Sequence, residues 1–184
     1  MAHAYPDAAI RRAIQAGVRT IEHGNFLSDA TARMMARAGA YLVPTLVTFR
    51  LVERFGPQIG YDAEQMEKCR LVLSAGTRSL EVARRAGVKM AYGTDIAFWH
   101  DHQAEEFLVR AEVLSPAEII RSATLVGAEV VRMPGRLGVV APGAFADLLV
   151  IDGNPLEDLG LFQGQGQHLA LILANGRIVK NRLD

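Results

Sequence analysis

Helical and strand-like segments alternate along the first half of the chain. Three stretches with apolar residues at helical spacing end at similar tripeptides: Ala16-Gly17-Val18, Ala38-Gly39-Ala40 and Ala86-Gly87-Val88. A glycine just past a helix adopts the left-handed conformation that ends it, and each tripeptide leads into a short apolar run typical of a strand buried on both faces. The pattern predicts helices over 7–16, 28–38 and 62–86, strands over 18–22, 41–45 and 88–92, and therefore a parallel sheet of αβ units.

The pattern changes after residue 133. Before it, Ser115-Pro116-Ala117-Glu118 has the cap, proline and glutamate of a helix start, and a second helix is expected near Thr124. After it, prolines and glycines crowd 134–143, apolar runs occupy 148–151 and 169–174, and Asn175-Gly176 predicts a hairpin turn into 177–180. We therefore predict two parts, an αβ part over 1–133 and a small β part over 134–184.

Charge and length exclude several classes of protein. Twenty basic and twenty acidic residues give a formal net charge of zero, which gives no support for nucleic acid or an anionic membrane surface as a partner. No run approaches the 18 apolar residues of a membrane span. The single cysteine, Cys69, allows no intrachain disulfide, so we expect a cytoplasmic protein. The 184 residues fall short of the roughly 250 that a complete eight-fold α/β barrel needs.

Polar side chains follow the predicted strands. Glu22-His23 follows the first, Thr45 the second and Asp95 the third, and His3 lies directly before a helix as if it also closed a strand. Ligands of parallel αβ sheets bind at these strand ends. Two histidines and an aspartate there suit a divalent metal, although a lone histidine is commonly structural and Asp95 could simply cap a helix.

Several motifs resemble a known family. Ala2-His3-Ala4-Tyr5, residues 20–24 (TIEHG), Gly93-Thr94-Asp95 and residues 138–150 (GVVAPGAFADLLV) resemble, in the right order, the second half of the metal-dependent amidohydrolase superfamily. The nearest resemblance is to the imidazolonepropionase-like and Xaa-Pro or Xaa-Arg dipeptidase group. It implies an α/β fold: the C-terminal part of a TIM-like (β/α)8 barrel, about strands 5–8, followed by a small β appendage from the composite β-sandwich domain.

The resemblance also implies a chemistry. His3 and His23 would be metal ligands after the fifth and sixth strands, and Asp95, after the eighth, would be both ligand and general base. The expected cofactor is a divalent metal, zinc by preference, and the expected reaction is hydrolysis of an amide C–N bond by metal-activated water. The substrate would be a small molecule such as a dipeptide or an N-acyl amino acid. Residues on the same side of the sheet are candidates for substrate contact: Tyr5, Asn25, Thr45 and His100.

The chain departs from the family pattern in what it lacks. The family's first strand supplies a His-x-His pair and its fourth a lysine or glutamate, and neither is present. His100-Asp101-His102 matches the His-x-His pattern, but it comes after Asp95 and not in a first strand. We therefore expect a fragment with little activity alone. The alternative is a non-catalytic remnant, or one part of a split or homo-oligomeric assembly, whose open strand edges pair with another chain. A phosphate-binding barrel isomerase is less well supported, because no glycine-rich phosphate loop precedes a helix.

Overall fold

A parallel sheet organises the first half of the computed structural model, which describes residues 1–183. Its four strands are β1 (Ala2–Pro6), β2 (Thr20–Phe26), β3 (Tyr41–Val43) and β4 (Lys89–Met90). They are arranged in the order β1-β2-β3-β4, and every neighbouring pair is parallel. All carboxyl ends therefore meet at one edge of the sheet. β1 and β4 are its outer strands, so each presents one edge without a partner among the described strands.

Helices connect and cover these strands. Their bounds are α1 (Asp7–Gln15), α2 (Asp29–Ala38), α3 (Leu46–Phe55), α4 (Ala63–Ala86), α5 (Glu105–Arg110), α6 (Pro116–Arg121) and α7 (Gly127–Val130), with a π-helical turn over Ser122–Val126 between the last two. Within residues 1–183, no helix is long and apolar enough to cross a membrane.

The predicted helix boundaries are confirmed where side chains cap the backbone. Ser28 accepts from the backbone N–H of Thr31, and Asp62 begins α4 with a reciprocal capping box. Gly39 and Gly87 end α2 and α4 in the left-handed conformation. Capping motifs predict these ends well because they satisfy backbone groups that a helix leaves free.

The structure differs from the sequence prediction in four places. The strand predicted over 18–22 covers Thr20–Phe26, so His23 lies within β2 and does not follow it. α3 was not predicted; its buried face is formed by Leu46, Val47, Leu51 and Val52, within a β-branched and aromatic stretch that is ambiguous by composition. The strands expected over 41–45 and 88–92 pair over three and two residues only. The second helix expected near Thr124 is a continuation of α6 through the π turn.

The main core lies between the sheet and the helices α1, α2 and α4. Its fully buried members come from every layer: Ile10 from α1, Ile21 from β2, Met35 from α2, Leu42 from β3 and Ala83 from α4. Alternate residues of the strands face these helices. The other residues, including His3 and Glu22, face the opposite side of the sheet.

The C-terminal region forms a second sheet. β5 (Leu148–Ile151), β6 (Leu169–Ala174) and β7 (Arg177–Asn181) pair antiparallel in that order. A short helical turn over Leu159–Phe162 fastens this region to α5, where Phe162 stacks on Phe107 at 4.2 Å between ring centroids. The Asn-Gly turn is confirmed between β6 and β7. The domain boundary at 133/134 stays a prediction.

Candidate active site

Residues from all four strand ends line one depression of about 360 Å³. His3 lies on β1, His23 on β2, Thr45 two residues past β3, and Asp95 five residues past β4. The parallel register sets Ala4 beside His23, so the two histidines lie on adjacent strands. The structure thus brings these four side chains to one depression, and their roles stay predictions.

His23 is at the centre of this group. Its Nε2 lies 2.8 Å from Nδ1 of His3 and 3.9 Å from Oδ2 of Asp95. Its Nδ1 lies 2.7 Å from Oγ1 of Thr45. The His23 side chain is only 4% exposed, whereas that of Asp95 is 63% exposed. The buried imidazole is thus hydrogen-bonded to Thr45 through Nδ1, and its Nε2 faces the open depression.

Burial favours the neutral form of the His23 imidazole. Removal from water lowers the pKa of His23, the neighbouring His3 lowers it further, and the Asp95 carboxylate opposes both. In the tautomer that carries its proton on Nδ1, His23 donates to the Thr45 hydroxyl and its Nε2 lone pair accepts from Nδ1 of His3. A metal-ligating histidine commonly donates its other ring N–H to an oxygen acceptor in this way.

Aromatic packing also sets the His23 ring plane. Tyr5 stacks on His23 with ring centroids 4.7 Å apart and planes within 3°. Phe49, from α3, meets both rings edge-on. His3 contacts Tyr5 edge-to-face at 4.8 Å. The imidazole therefore has little freedom to turn away from Thr45 and His3.

Two residues of the site adopt left-handed backbone conformations. His23 has φ 74° and Asp95 has φ 50°, values that are uncommon outside glycine and cluster at functional sites. Gly24 follows with φ 63°, and a Cβ there would collide with Leu42. The β2 backbone is thus irregular at His23 and Gly24, and a side chain at Gly24 would be strained and would press on the buried Leu42.

A half-buried carboxylate shares the depression. Glu22 lines it, and Oε1 of Glu22 is buried without a hydrogen-bond partner. Burial raises the pKa of Glu22 above its ordinary value, and Asp95 raises it further, while Thr20 and the N-terminal amine oppose them. The depression is therefore rich in groups that accept a proton or a cation.

The other sequence candidates have different positions. Asn25 is fully buried and donates from Nδ2 to the backbone carbonyl of Val72, so it anchors α4 to β2. His100 begins an exposed helical turn and is not among the described residues that line the depression. Of the four proposed substrate contacts, the structure thus places Tyr5 and Thr45 against His23 and sets Asn25 and His100 apart.

Sequence patterns missed the residues that hold the strand ends in place. The hydroxyl of Thr48, on α3, lies 2.8 Å from the carbonyl oxygen of Thr94 and 2.7 Å from that of Asp95. Arg110 is fully buried and binds the carbonyls of Pro44 and Ala91 at 2.7 and 2.9 Å. A lone threonine and a lone arginine carry no motif; only an arginine at a helical spacing of four from Glu106 hinted at a pair.

The donor set fits a divalent metal. Two imidazole nitrogens and a carboxylate oxygen are ligand types that zinc accepts, and neutral His23 has its ring orientation fixed by a hydroxyl. In the part of the chain that the structure describes, residues 1–183, no group of three or more His, Cys, Asp or Glu side chains is already closed around a metal position. His3 Nδ1 lies 2.8 Å and Asp95 Oδ2 3.9 Å from His23 Nε2, so the carboxylate is the more distant of the two partners.

Known proteins are similar to this chain in sequence. The amidohydrolase family matches residues 1–179. An ochratoxinase of Aspergillus niger is 29% identical over 88% of this chain and 34% of its own length. An uncharacterized protein of Mycobacterium tuberculosis is 30% identical over 96% of this chain and 46% of its own length.

Solved structures agree in fold. A crystal structure of an amidohydrolase is 50% identical, with a TM-score of 0.94 over 99% of this chain and 44% of that one. A prolidase complexed with N-methylphosphonate-L-proline is 48% identical, with a TM-score of 0.93 over 98% and 45%. The chain thus spans less than half of the length of these relatives. With the family matching nearly all of its residues, the chain belongs to the amidohydrolase family.

Proposed function

We propose that this chain provides the ligand and base residues of an enzyme that hydrolyses an amide C–N bond in a small molecule such as a dipeptide or an N-acyl amino acid. The observation that carries the proposal is the approach of His23 Nε2 to His3 Nδ1 and Asp95 Oδ2. Membership of the amidohydrolase family supports hydrolysis of amide bonds. The prolidase and ochratoxinase relatives support a small-molecule amide.

His3, His23 and Asp95 would hold a divalent metal, with zinc the proposed ion. When bound, such a metal supplies Lewis-acid polarisation of the scissile carbonyl and lowers the pKa of water. Thr45 and Tyr5 hold the His23 ring in its ligating orientation. Glu22 adds a further buried acceptor to the same depression.

Asp95 would act as the general base. Its carboxylate is exposed to the depression, so incoming water and substrate can reach it. Its left-handed backbone is held by the Thr48 hydroxyl, and its Oδ2 lies 3.9 Å from Nε2 of His23. A carboxylate so placed takes a proton from the attacking water and passes it to the leaving amine.

We also propose how the open sheet is completed. β1 and β4 are the outer strands of the parallel sheet, and unpaired edges of this kind pair readily. These four strands would then correspond to strands 5–8 of a (β/α)8 barrel, completed by an N-terminal half or by another copy of the chain. The proposed location is the cytoplasm, where the buried Cys69 thiol stays reduced.

The experiment uses a chimera in which this chain replaces the matching 44% of the 50%-identical amidohydrolase. Turnover of dipeptides and N-acyl amino acids is measured before chelation, after chelation and after zinc is restored, with the parent enzyme and the 184-residue chain alone beside it. We expect turnover by the chimera that chelation abolishes and zinc restores. A cooperatively folded chimera that hydrolyses none of these amides, beside an active parent, contradicts the proposal.

A further inference from the structure

A second, smaller cavity lies beside Asp95. It has a volume of about 110 Å³, and its apolar lining comes from three segments: Val52 of α3, Ile59 and Tyr61 from the connection to α4, and Ile96, Phe98 and Trp99 from the loop after Asp95. For comparison, an apolar cavity of about 150 Å³ is large enough to bind benzene. The present cavity is somewhat smaller than that, which leaves room for a branched aliphatic side chain, and it opens to solvent for larger ones.

Asp95 separates this cavity from the depression that holds the histidines. It lines both spaces, and Thr48, which also lines the small cavity, holds its backbone. A substrate whose amide bond lies at Asp95 would therefore place a neighbouring substituent within reach of the apolar lining. Among the described residues that line the cavity, Asp95 alone carries a charge, so the lining favours a neutral apolar group.

The aromatic side chains of this lining remain in contact with solvent. Phe98 is 62% exposed and Tyr61 is 38% exposed. Trp99 adopts a left-handed conformation with φ 57°, which is a true outlier for a bulky residue and is characteristic of ligand sites. Phe55 stacks obliquely against the Trp99 ring at 5.5 Å and supports it. The loop thus holds these rings at the cavity even though the Trp99 backbone is strained and the Phe98 ring stays exposed to water.

We infer that this cavity is the subsite for an apolar side chain of the substrate, so that the enzyme prefers amides bearing an aliphatic or aromatic group next to the scissile bond. The inference deepens the proposed function, on which it rests for the ligand being an amide. Burial of a leucine-sized group in such a cavity gives a preference of about ten-fold or more over glycine.

Trp99 provides a direct readout, because it is the single tryptophan of the chain. The 184-residue chain is titrated with N-acetyl-L-leucine amide and with N-acetylglycine amide, and the fluorescence of Trp99 is followed. We expect a saturable change with the leucine amide at a concentration at least ten-fold lower than with the glycine amide. Equal responses to the two amides would overturn the inference.

Matched variants separate the cavity from the rest of the surface. Phe98→Ser removes an exposed apolar residue of the lining, whereas Leu71→Ser removes one that is equally exposed, at 61%, but lies on α4 outside the cavity. We expect Phe98→Ser, and independently Ile59→Ser, to weaken binding of the leucine amide several-fold and Leu71→Ser to leave it unchanged. Equal effects of Phe98→Ser and Leu71→Ser would overturn the inference.

The chimera distinguishes this inference from the proposed function. Its kcat/KM is compared for Leu-Pro and Gly-Pro, which share one scissile bond and differ in a single side chain. Hydrolysis of both with equal kcat/KM would keep the proposed function and reject the subsite. Selective binding of the leucine amide by the chain, beside a folded chimera that hydrolyses neither dipeptide, would keep the subsite and reject the proposed function.

Discussion

The side-chain hydroxyl of Thr48 lies 2.7 Å from the backbone carbonyl oxygen of Asp95, the residue that we propose as general base. The same hydroxyl is 2.8 Å from the carbonyl of Thr94. Through this contact α3 holds the segment after β4 where Asp95 adopts its left-handed backbone. Thr48 is therefore a positioning residue that acts on the reaction through Asp95.

Replacement of Thr48 tests this role. Thr48→Val keeps the shape but loses the hydrogen bond, worth about 1 kcal/mol, and we expect kcat of the chimera to fall about five-fold with little change in KM. Thr48→Ser keeps the hydroxyl and should restore most of kcat. If valine and serine variants have the same kcat, the hydrogen bond does not position Asp95.

Thr45 allows a test that does not depend on turnover. Its hydroxyl orients His23 through Nδ1, and loss of such a partner usually costs about 10–100-fold in metal affinity. We expect Thr45→Val to weaken zinc binding within this range and Thr45→Ser to bind nearly as the wild type, measured by competition with a chromogenic chelator. Unchanged affinity in the valine variant would separate Thr45 from the ligand set.

The buried pair Glu106 and Arg110 predicts a large stability effect. Both side chains are fully buried, with Arg110 Nε 2.6 Å from Glu106 Oε1, and Arg110 also joins the ends of β3 and β4. Arg110→Met leaves an unpaired buried carboxylate and should lower the free energy of unfolding by about 3–5 kcal/mol. The double change to Arg110→Met and Glu106→Leu should be less destabilising than Arg110→Met alone.

Urea unfolding measures these differences, and a surface pair provides the control. Arg84 contacts Glu118 at 2.8 Å with both side chains well exposed, so Arg84→Met should cost less than about 1 kcal/mol. A double variant less stable than Arg110→Met would show that the Glu106 carboxylate stabilises the fold even without Arg110, by accepting from the backbone N–H of Val47.

Asp7 predicts a dependence of stability on pH. Burial alone would raise the pKa of Asp7, but hydrogen bonds from the backbone and side chain of Ser28, from Thr31 and from Arg11 outweigh it, and the pKa is lowered. A lowered folded-state pKa stabilises the protein above the unfolded-state pKa, about 4, and the contribution is lost as pH falls through the folded-state value. The free energy of unfolding of the wild type should therefore exceed that of Asp7→Asn most near neutral pH, and the difference should disappear in acid. Urea unfolding midpoints measured across this pH range follow the difference. A difference that is constant over this range would contradict the assignment.

The fold was predictable wherever a local rule determines a boundary. Ser28, Asp62, Gly39 and Gly87 satisfy free backbone groups at helix ends, and their side chains or conformations are visible in the sequence itself. α3 was missed because its β-branched and aromatic residues suit a strand equally well, and only packing against α4 and α5 decides between the two.

The grouping of the proposed ligands was predictable from the sequence, but the residues that support them were not. His23 and Asp95 come after predicted strands and His3 directly precedes a helix, and parallel pairing brings such positions together. Asn25 has the same sequence position relative to its strand, yet its amide binds Val72. Asn25 meets a helix that begins 38 residues later in the chain, and no local pattern specifies such a contact.

The role of Asp95 as general base is tested by comparing kcat/KM of the chimera with and without the Asp95 carboxylate. Asp95→Asn keeps the size of the side chain but removes the base, so we predict a fall of at least about 100-fold. His100→Gln, in the neighbouring exposed turn outside the depression, should leave kcat/KM within about two-fold of the wild type. A folded Asp95→Asn chimera that retains wild-type kcat/KM would contradict the assignment of Asp95, and with it the hydrolytic mechanism proposed for this site.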